Sequence, residues 1–284
     1  MGSRAQTGQP SQRGRARANP QHCHTTRPPW RLAVVLALTV LLAMTGWLHT
    51  AGRWPFTPDA GPPPVFSAPD PGPGQPVVAV QSGSALALLE TLPVKDKAAS
   101  SDYDRALFGA PWADADANGC DTRNDILRRD LQRLEFTDGS PCLVASGVLA
   151  EPYTAVDLAF ERGRESSKAV QIDHVVALGN AWQTGAAALS PAQRESLAND
   201  PLNLLAVDGP ANQEKSSADA ASWLPASKKF RCHYVARQIS VKASYRLWVA
   251  PAEKAAMVRV LGLCPQQQSL PSGYLHPAET QDRQ

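Results

Sequence analysis

The chain is expected to fold as one α+β domain, on three observations. Two short apolar segments, Ala169–Val176 (AVQIDHVV) and Leu202–Val207 (LNLLAV), read as strands, the first alternating Val170, Ile172 and His174 along one face. After the second strand, a Gly209-Pro210 break leads into Ala-rich sequence that suits a short helix carrying Asn212 and Lys215. Strand, connection, strand, helix is the order of a ββα unit. Elsewhere the periodic segments are helical. Phe230, Tyr234, Val241, Tyr245 and Trp248 recur at steps of three, four or seven, which predicts a core-facing helical stripe.

Further helix starts are read at Ser190-Pro191 and at Pro251. Ser101 with Asp104, and Thr122 with Asp125, each match a hydroxyl cap with an acid three residues on.

Long flanks surround this domain. The chain has 284 residues with 25 prolines and 19 glycines, concentrated outside the periodic segments. Residues 1–31 form a basic, acid-free leader, and residues 32–48 (LAVVLALTVLLAMTGWL) carry no charge and are bracketed by Trp30 and Trp47. That combination predicts a transmembrane signal anchor with the leader kept in the cytoplasm, or a signal peptide whose cleavage would release a secreted protein. Residues 55–76 are a Pro-rich spacer that cannot bury a core. The folded domain is placed at 77–264, followed by a loose tail at 265–284.

The net charge of +2 misleads, because residues 1–54 hold seven arginines and no acid. Removing those seven from the 28 Lys and Arg leaves 21 against 26 Asp and Glu, so the exported part is near −5. Bulk charge therefore gives no basic footprint for nucleic acid, and such a function must rest on local groups. Two sets offer them: Lys228, Lys229, Arg231, Arg237, Lys242 and Arg246 on the striped helix, and Arg162, Arg164 and Lys168 before the first strand. A solvated helix face is the alternative reading. Export permits disulfides among Cys120, Cys142, Cys232 and Cys264. Four cysteines allow three pairings; proximity favours Cys120 with Cys142 and Cys232 with Cys264, although spacing alone does not decide.

The 77–264 domain has two histidines, His174 and His233. A hydrolase working near neutral pH needs an imidazole-like base, and His174 is the better candidate because Asp173 precedes it at a strand end. Asp173 and the amide of Asn212 are hard oxygen donors of the kind that suit Mg²⁺ or Mn²⁺, whereas zinc would call for more His or Cys. Asn203 on the paired strand is placed to fix the His174 loop, and Lys215, one turn beyond Asn212, to reach a phosphate. No G-x-S-x-G or H-E-x-x-H motif is present.

These residues resemble a known family. QIDHVVAL followed by NDPLNLLAVDGPANQEKSSADAASWLP is similar to the Asp-His, middle Asn and distal Asn-x-x-Lys series of HNH endonucleases, and from about Tyr103 to Cys264 the chain resembles an exported HNH-like family. The resemblance implies a ββα-metal (His-Me finger) unit embedded in a mainly helical, disulfide-stapled domain. It also implies metal-dependent hydrolysis of DNA or RNA phosphodiesters that leaves 5′-phosphate ends. By position, Asp173 and Asn212 would be metal ligands, His174 the base and Asn203 the loop-fixing residue. The alternative is a non-catalytic exported binding module that keeps the fold.

One further constellation stands apart. Asp114, Asp116, Asn118, Gly119 and Asp125 match the spacing of an EF-hand Ca²⁺ loop, with Asp where the motif has a bidentate Glu. An acidic turn before a capped helix is the competing reading.

Overall fold

The computed structural model describes residues 74–75, 83–163 and 168–273. The leader at 1–31, the apolar segment at 32–48, nearly all of the 55–76 spacer and residues 274–284 lie outside them. No helix among the described residues is long and apolar enough to cross a membrane.

Helix α1 (Ala85–Thr91) is opened by the Ser84 hydroxyl, which accepts from the Ala87 amide. A 3-10 turn at Arg105–Phe108 is capped by Asp104, whose carboxylate accepts from the Ala106 amide. Helix α2 (Thr122–Asp130) is capped by Asp121. The two caps expected at Ser101 and Thr122 are therefore corrected to aspartates, whose carboxylates reach the first free amides.

Strands β1 (Leu131–Phe136), β2 (Val144–Ala150) and β3 (Asp157–Glu161) then form an antiparallel meander in the order β1-β2-β3. This sheet was not expected, and a mainly helical description of the domain understates its strands.

Strand β4 (Val170–His174) pairs antiparallel with β5 (Leu204–Asp208), with Asp173 opposite Leu205 and His174 opposite Leu204. The connection carries α3 (Leu178–Gln183) and α4 (Pro191–Asn199), the latter started by a reciprocal Ser190–Gln193 capping box. Helix α5 (Gly209–Lys215) follows β5 without a loop: Asp208 caps it and Pro210 sits in its first turn. Gly209 is required there, because a Cβ would lie 2.2 Å from the Lys168 carbonyl oxygen. Helices α6 (Arg231–Ser244) and α7 (Pro251–Leu261) complete the domain.

Three apolar cores meet at the end of β4. Val175 belongs to the core of α1, α6 and α7, with Leu89, Tyr234, Ile239 and Met257. Val176 belongs to a second core with Phe108, Trp182, Leu197 and Tyr245. Ile172 belongs to a third with Ile126, Leu127, Val144 and Phe160. His174 thus stands between Ile172 on one side and Val175 and Val176 on the other, each fixed in a different packed region, which makes a rigid mount for its side chain.

The bridges are Cys120–Cys142 and Cys232–Cys264, the pairing that proximity favours, with Cα atoms 5.3 and 6.4 Å apart. The first ties the approach to α2 to the β1–β2 connection, the second the start of α6 to the end of α7. Residues 265–273 are not loose. The Gln267 carbonyl accepts from the Ala85 amide, Ser269 and Gly83 are bonded in both directions, and the Leu270 amide donates to Ser240 Oγ.

The basic helix is a core helix, so most of its cations serve the fold. Lys242 is buried and pairs with Glu253 of α7 at 2.8 Å. Arg237 donates to the Leu202 and Leu204 carbonyls, and burial pushes its guanidinium down to about 10. Arg231 donates to the Pro225 carbonyl. Arg164 lies outside the described residues.

Asp200, between α4 and β5, is buried and accepts from the Leu202 amide and the Tyr245 hydroxyl. Burial pushes its carboxyl up from 3.8 to about 6, with those hydrogen bonds opposing. A raised acid binds its proton more tightly in the folded chain, so its contribution to stability is fully present below pH 3.8 and is lost as pH rises towards about 6. The loss amounts to about 3 kcal/mol, at 1.36 kcal/mol per pKa unit. Asp200→Asn keeps the shape without the charge. Its melting temperature should exceed that of the wild type at pH 8 and match or fall below it at pH 4; an unchanged difference across this range would remove Asp200 as the source.

Candidate active site

Asp173 and His174 end β4 with only 5% and 7% of their surfaces exposed. The Asp173 carboxylate accepts from Lys215 Nζ at 3.0 Å through Oδ1 and from the Tyr153 hydroxyl at 2.5 Å through Oδ2. Burial raises its pKa, while Lys215 and Tyr153 pull it down. Tyr153 is held by the turn after β2, where Glu151 accepts from the amides of Tyr153, Thr154 and Asp208. The same carboxylate therefore sets both Tyr153 and the start of α5.

His174 is the most strongly perturbed imidazole in the domain. Burial lowers its pKa to about 3, with Arg105 and then Lys215 adding to the effect and the bond to the Ala198 carbonyl opposing it. The ring is therefore neutral at physiological pH. Nε2 lies 2.9 Å from the Ala198 carbonyl oxygen, which can only accept, so Nε2 carries the hydrogen and Nδ1 keeps its lone pair.

Asn203 fixes the chain beyond the histidine. Its carbonyl accepts from the Val175 amide at 2.7 Å, its Oδ1 accepts from the Val176 amide at 2.8 Å, and its Nδ2 donates to the Leu197 carbonyl. Lys215 does not face a phosphate, as its spacing from Asn212 suggested. It is fully buried, and Nζ donates to Asp173 and, at 2.9 Å, to the His174 carbonyl. At the last turn of α5 the lysine points inward, under the end of β4.

Two cavities flank His174. One, of about 600 Å³, is polar and is lined by Asp173, Asn212, Gln171, Ser216 and Ser217. The other, of about 240 Å³, is mainly apolar and is lined by Phe108, Pro111, Trp112 and Leu178. Arg105 and His174 line both. Asp173, His174 and Asn212 are thus brought to one cleft, with Asn203 and Lys215 beneath it. Arg105, Trp112 and Tyr153 carry no sequence motif. Their only signal is a run of aromatic and basic residues ahead of the strand pair.

The divalent cation implied by the HNH resemblance is compatible with this cleft. Each carboxylate oxygen of Asp173 has a second lone pair beyond the bonds above. Asn212 Nδ2 is committed to Gln171 Oε1 at 2.9 Å, which leaves the Asn212 oxygen to offer. One carboxylate and amide oxygens on a polar cleft suit a hard cation that keeps most of its water, Mg²⁺ or Mn²⁺.

The Asp114 loop is a different case. Among the described residues, no three His, Cys, Asp or Glu side chains form a group that could hold a metal ion. The loop carboxylates are turned onto the loop itself. Asp114 accepts from the Asn118 and Gly119 amides at 3.0 and 2.9 Å, while Asp116 and Asp125 accept from Asn118 Nδ2. Asp114, Asp116, Asn118 and Asp125 are gathered in one turn closed by its own hydrogen bonds, and Ca²⁺ there stays an expectation from the motif spacing.

Comparison with known proteins places the chain among its relatives. No solved structure matches the chain. An "Uncharacterized secreted protein" of Arthroderma benhamiae is 36% identical over 202 residues, covering 70% of this chain and 94% of that protein. The family model described as "GmrSD restriction endonucleases, C-terminal domain" matches residues 121–260, a span that contains β4, β5, α5 and every residue of the Asp173, His174, Asn203, Asn212 and Lys215 set. The chain therefore belongs to the HNH-type family of GmrSD restriction endonuclease C-terminal domains.

Proposed function

We propose that the protein is an exported endonuclease that hydrolyses phosphodiesters with His174 as general base. The observation that carries this reading is geometric: His174, its Nε2–H committed to the Ala198 carbonyl, lines both cavities and shares the polar one with Asp173 and Asn212. Asn203 keeps that ring's backbone in place, and the Lys215–Asp173–Tyr153 chain holds the neighbouring carboxylate in one orientation. Arg105, exposed and shared by both cavities, supplies positive charge where a phosphate would lie against His174. Asp173 and Asn212 would hold Mg²⁺ or Mn²⁺, which supplies stabilisation of the charge that grows on the phosphate oxygens. Export is supported by the two disulfides, the apolar segment at 32–48 and the secreted relative.

A non-catalytic module would need no neutral histidine and acid together at an open cleft, whereas hydrolysis uses both. The test is incubation of the full chain with plasmid, linear DNA and RNA. Cleavage is expected with Mg²⁺ or Mn²⁺ and should stop with a chelator. Intact substrate under every condition would leave the binding-module reading standing.

A further inference from the structure

The apolar cavity beside His174 has no role in the reaction as described, and its chemistry differs sharply from that of the polar cleft. A phosphodiester attacked at His174 lies at the junction of the two cavities, so its flanking nucleosides extend into them. One side offers oxygen and nitrogen groups around Asp173 and Asn212. The other offers Phe108, Pro111, Leu178 and the Trp112 indole, whose plane lies 13° from that of the His174 imidazole with ring centroids 6.3 Å apart.

A cavity of about 240 Å³ with an indole wall suits one planar ring system and is too small for a stacked base pair. Trp112 also adopts φ 61°, a region that bulky residues rarely occupy and that recurs at ligand sites. Phe108, buried in the second core, anchors the turn that presents this wall.

Charge argues the same way. Among the described residues, Arg105 is the one Lys or Arg lining either cavity, and Arg237 and Lys242 of α6 are spent inside the fold. A duplex reader draws its affinity from many phosphate contacts. A reader of unpaired strands can draw it from stacking, which every base supports. Placing a base in this cavity from a duplex would first require unpairing it, a cost that an unpaired strand does not bear.

We propose, resting on the nuclease reading above, that the Trp112 cavity seats the unpaired base next to the scissile phosphate, so that the substrate is single-stranded DNA or RNA. The full wild-type chain, held in chelator so that no cleavage occurs, is titrated with labelled 20-nucleotide strands of DNA and of RNA, the matching duplexes, and a wholly abasic strand. Both single strands should bind about 5- to 150-fold tighter than the abasic strand, the range expected for one stacked base, and tighter than the duplexes. Trp112→Ala should erase most of that difference and Trp112→Phe should retain it. Ala110→Trp, which fills the cavity from its exposed rim without removing packing, should erase it too.

Duplex binding equal to single-strand binding, or a preference untouched by both Trp112→Ala and Ala110→Trp, would overturn the proposal. Wild-type cleavage measured in parallel separates the two readings. Efficient cleavage with no Trp112 dependence removes the base seat and keeps the nuclease. Base-dependent binding without any cleavage does the reverse.

Discussion

His174→Ala should cut phosphodiester cleavage by about 10²- to 10⁴-fold, the range expected for loss of a positioned general base. The protein should remain folded, with a melting temperature lowered by the deletion of a buried ring but a single cooperative transition. Metal affinity, read by calorimetry, should stay close to that of the wild type, because the imidazole is assigned as a base and not as a ligand. Added imidazole should restore part of the rate, since the vacated space opens onto both cavities. A His174→Ala protein that cleaves as fast as the wild type, or that loses metal as badly as Asp173→Ala, would sink the assignment.

The second large effect is on stability. Lys215→Met should destabilise the domain by about 3–5 kcal/mol, because removing one partner of a buried pair leaves the other charge uncompensated. Asp173 would keep the Tyr153 hydroxyl but lose its cation, and the His174 carbonyl would lose its donor. The expected fall in melting temperature is roughly 6–20 °C for a domain of this size. Asp173→Asn combined with Lys215→Met should cost clearly less than the sum of the two single changes, since no buried charge is then left unpaired. A Lys215→Met protein melting within a degree of the wild type would show that the pair contributes little.

These two residues also show what was legible in the sequence. The β4–β5 pair and α5 were readable because their signals are local: period-two alternation through Ile172 and His174, then the Gly209-Pro210 break ahead of Ala-rich sequence. The orientation of Lys215 was not local. Helical spacing places it on the face of Asn212, yet its partners, the Asp173 carboxylate and the His174 carbonyl, lie 42 and 41 residues away in sequence.

Tyr153 was invisible for the same reason, because its hydroxyl meets Asp173 only after the β1–β3 meander has folded. That meander was hard to read in turn. β1 exposes most of its side chains, Arg133 sits at φ 51°, and the β1–β2 register shifts after Gln132. Its alternation is therefore broken. The Asp114 loop was legible in part: its motif residues do come together in one turn, where Asn118 and the backbone amides donate to the carboxylates.

The family match begins at residue 121, whereas the turn bearing Arg105 and the Trp112 wall precedes it, as does Cys120. A graft of the matched stretch onto another carrier would transplant the hydrolytic parts without their grip on substrate, and would strand Cys142 as a free thiol. The portable piece and the working piece of this protein are not the same length.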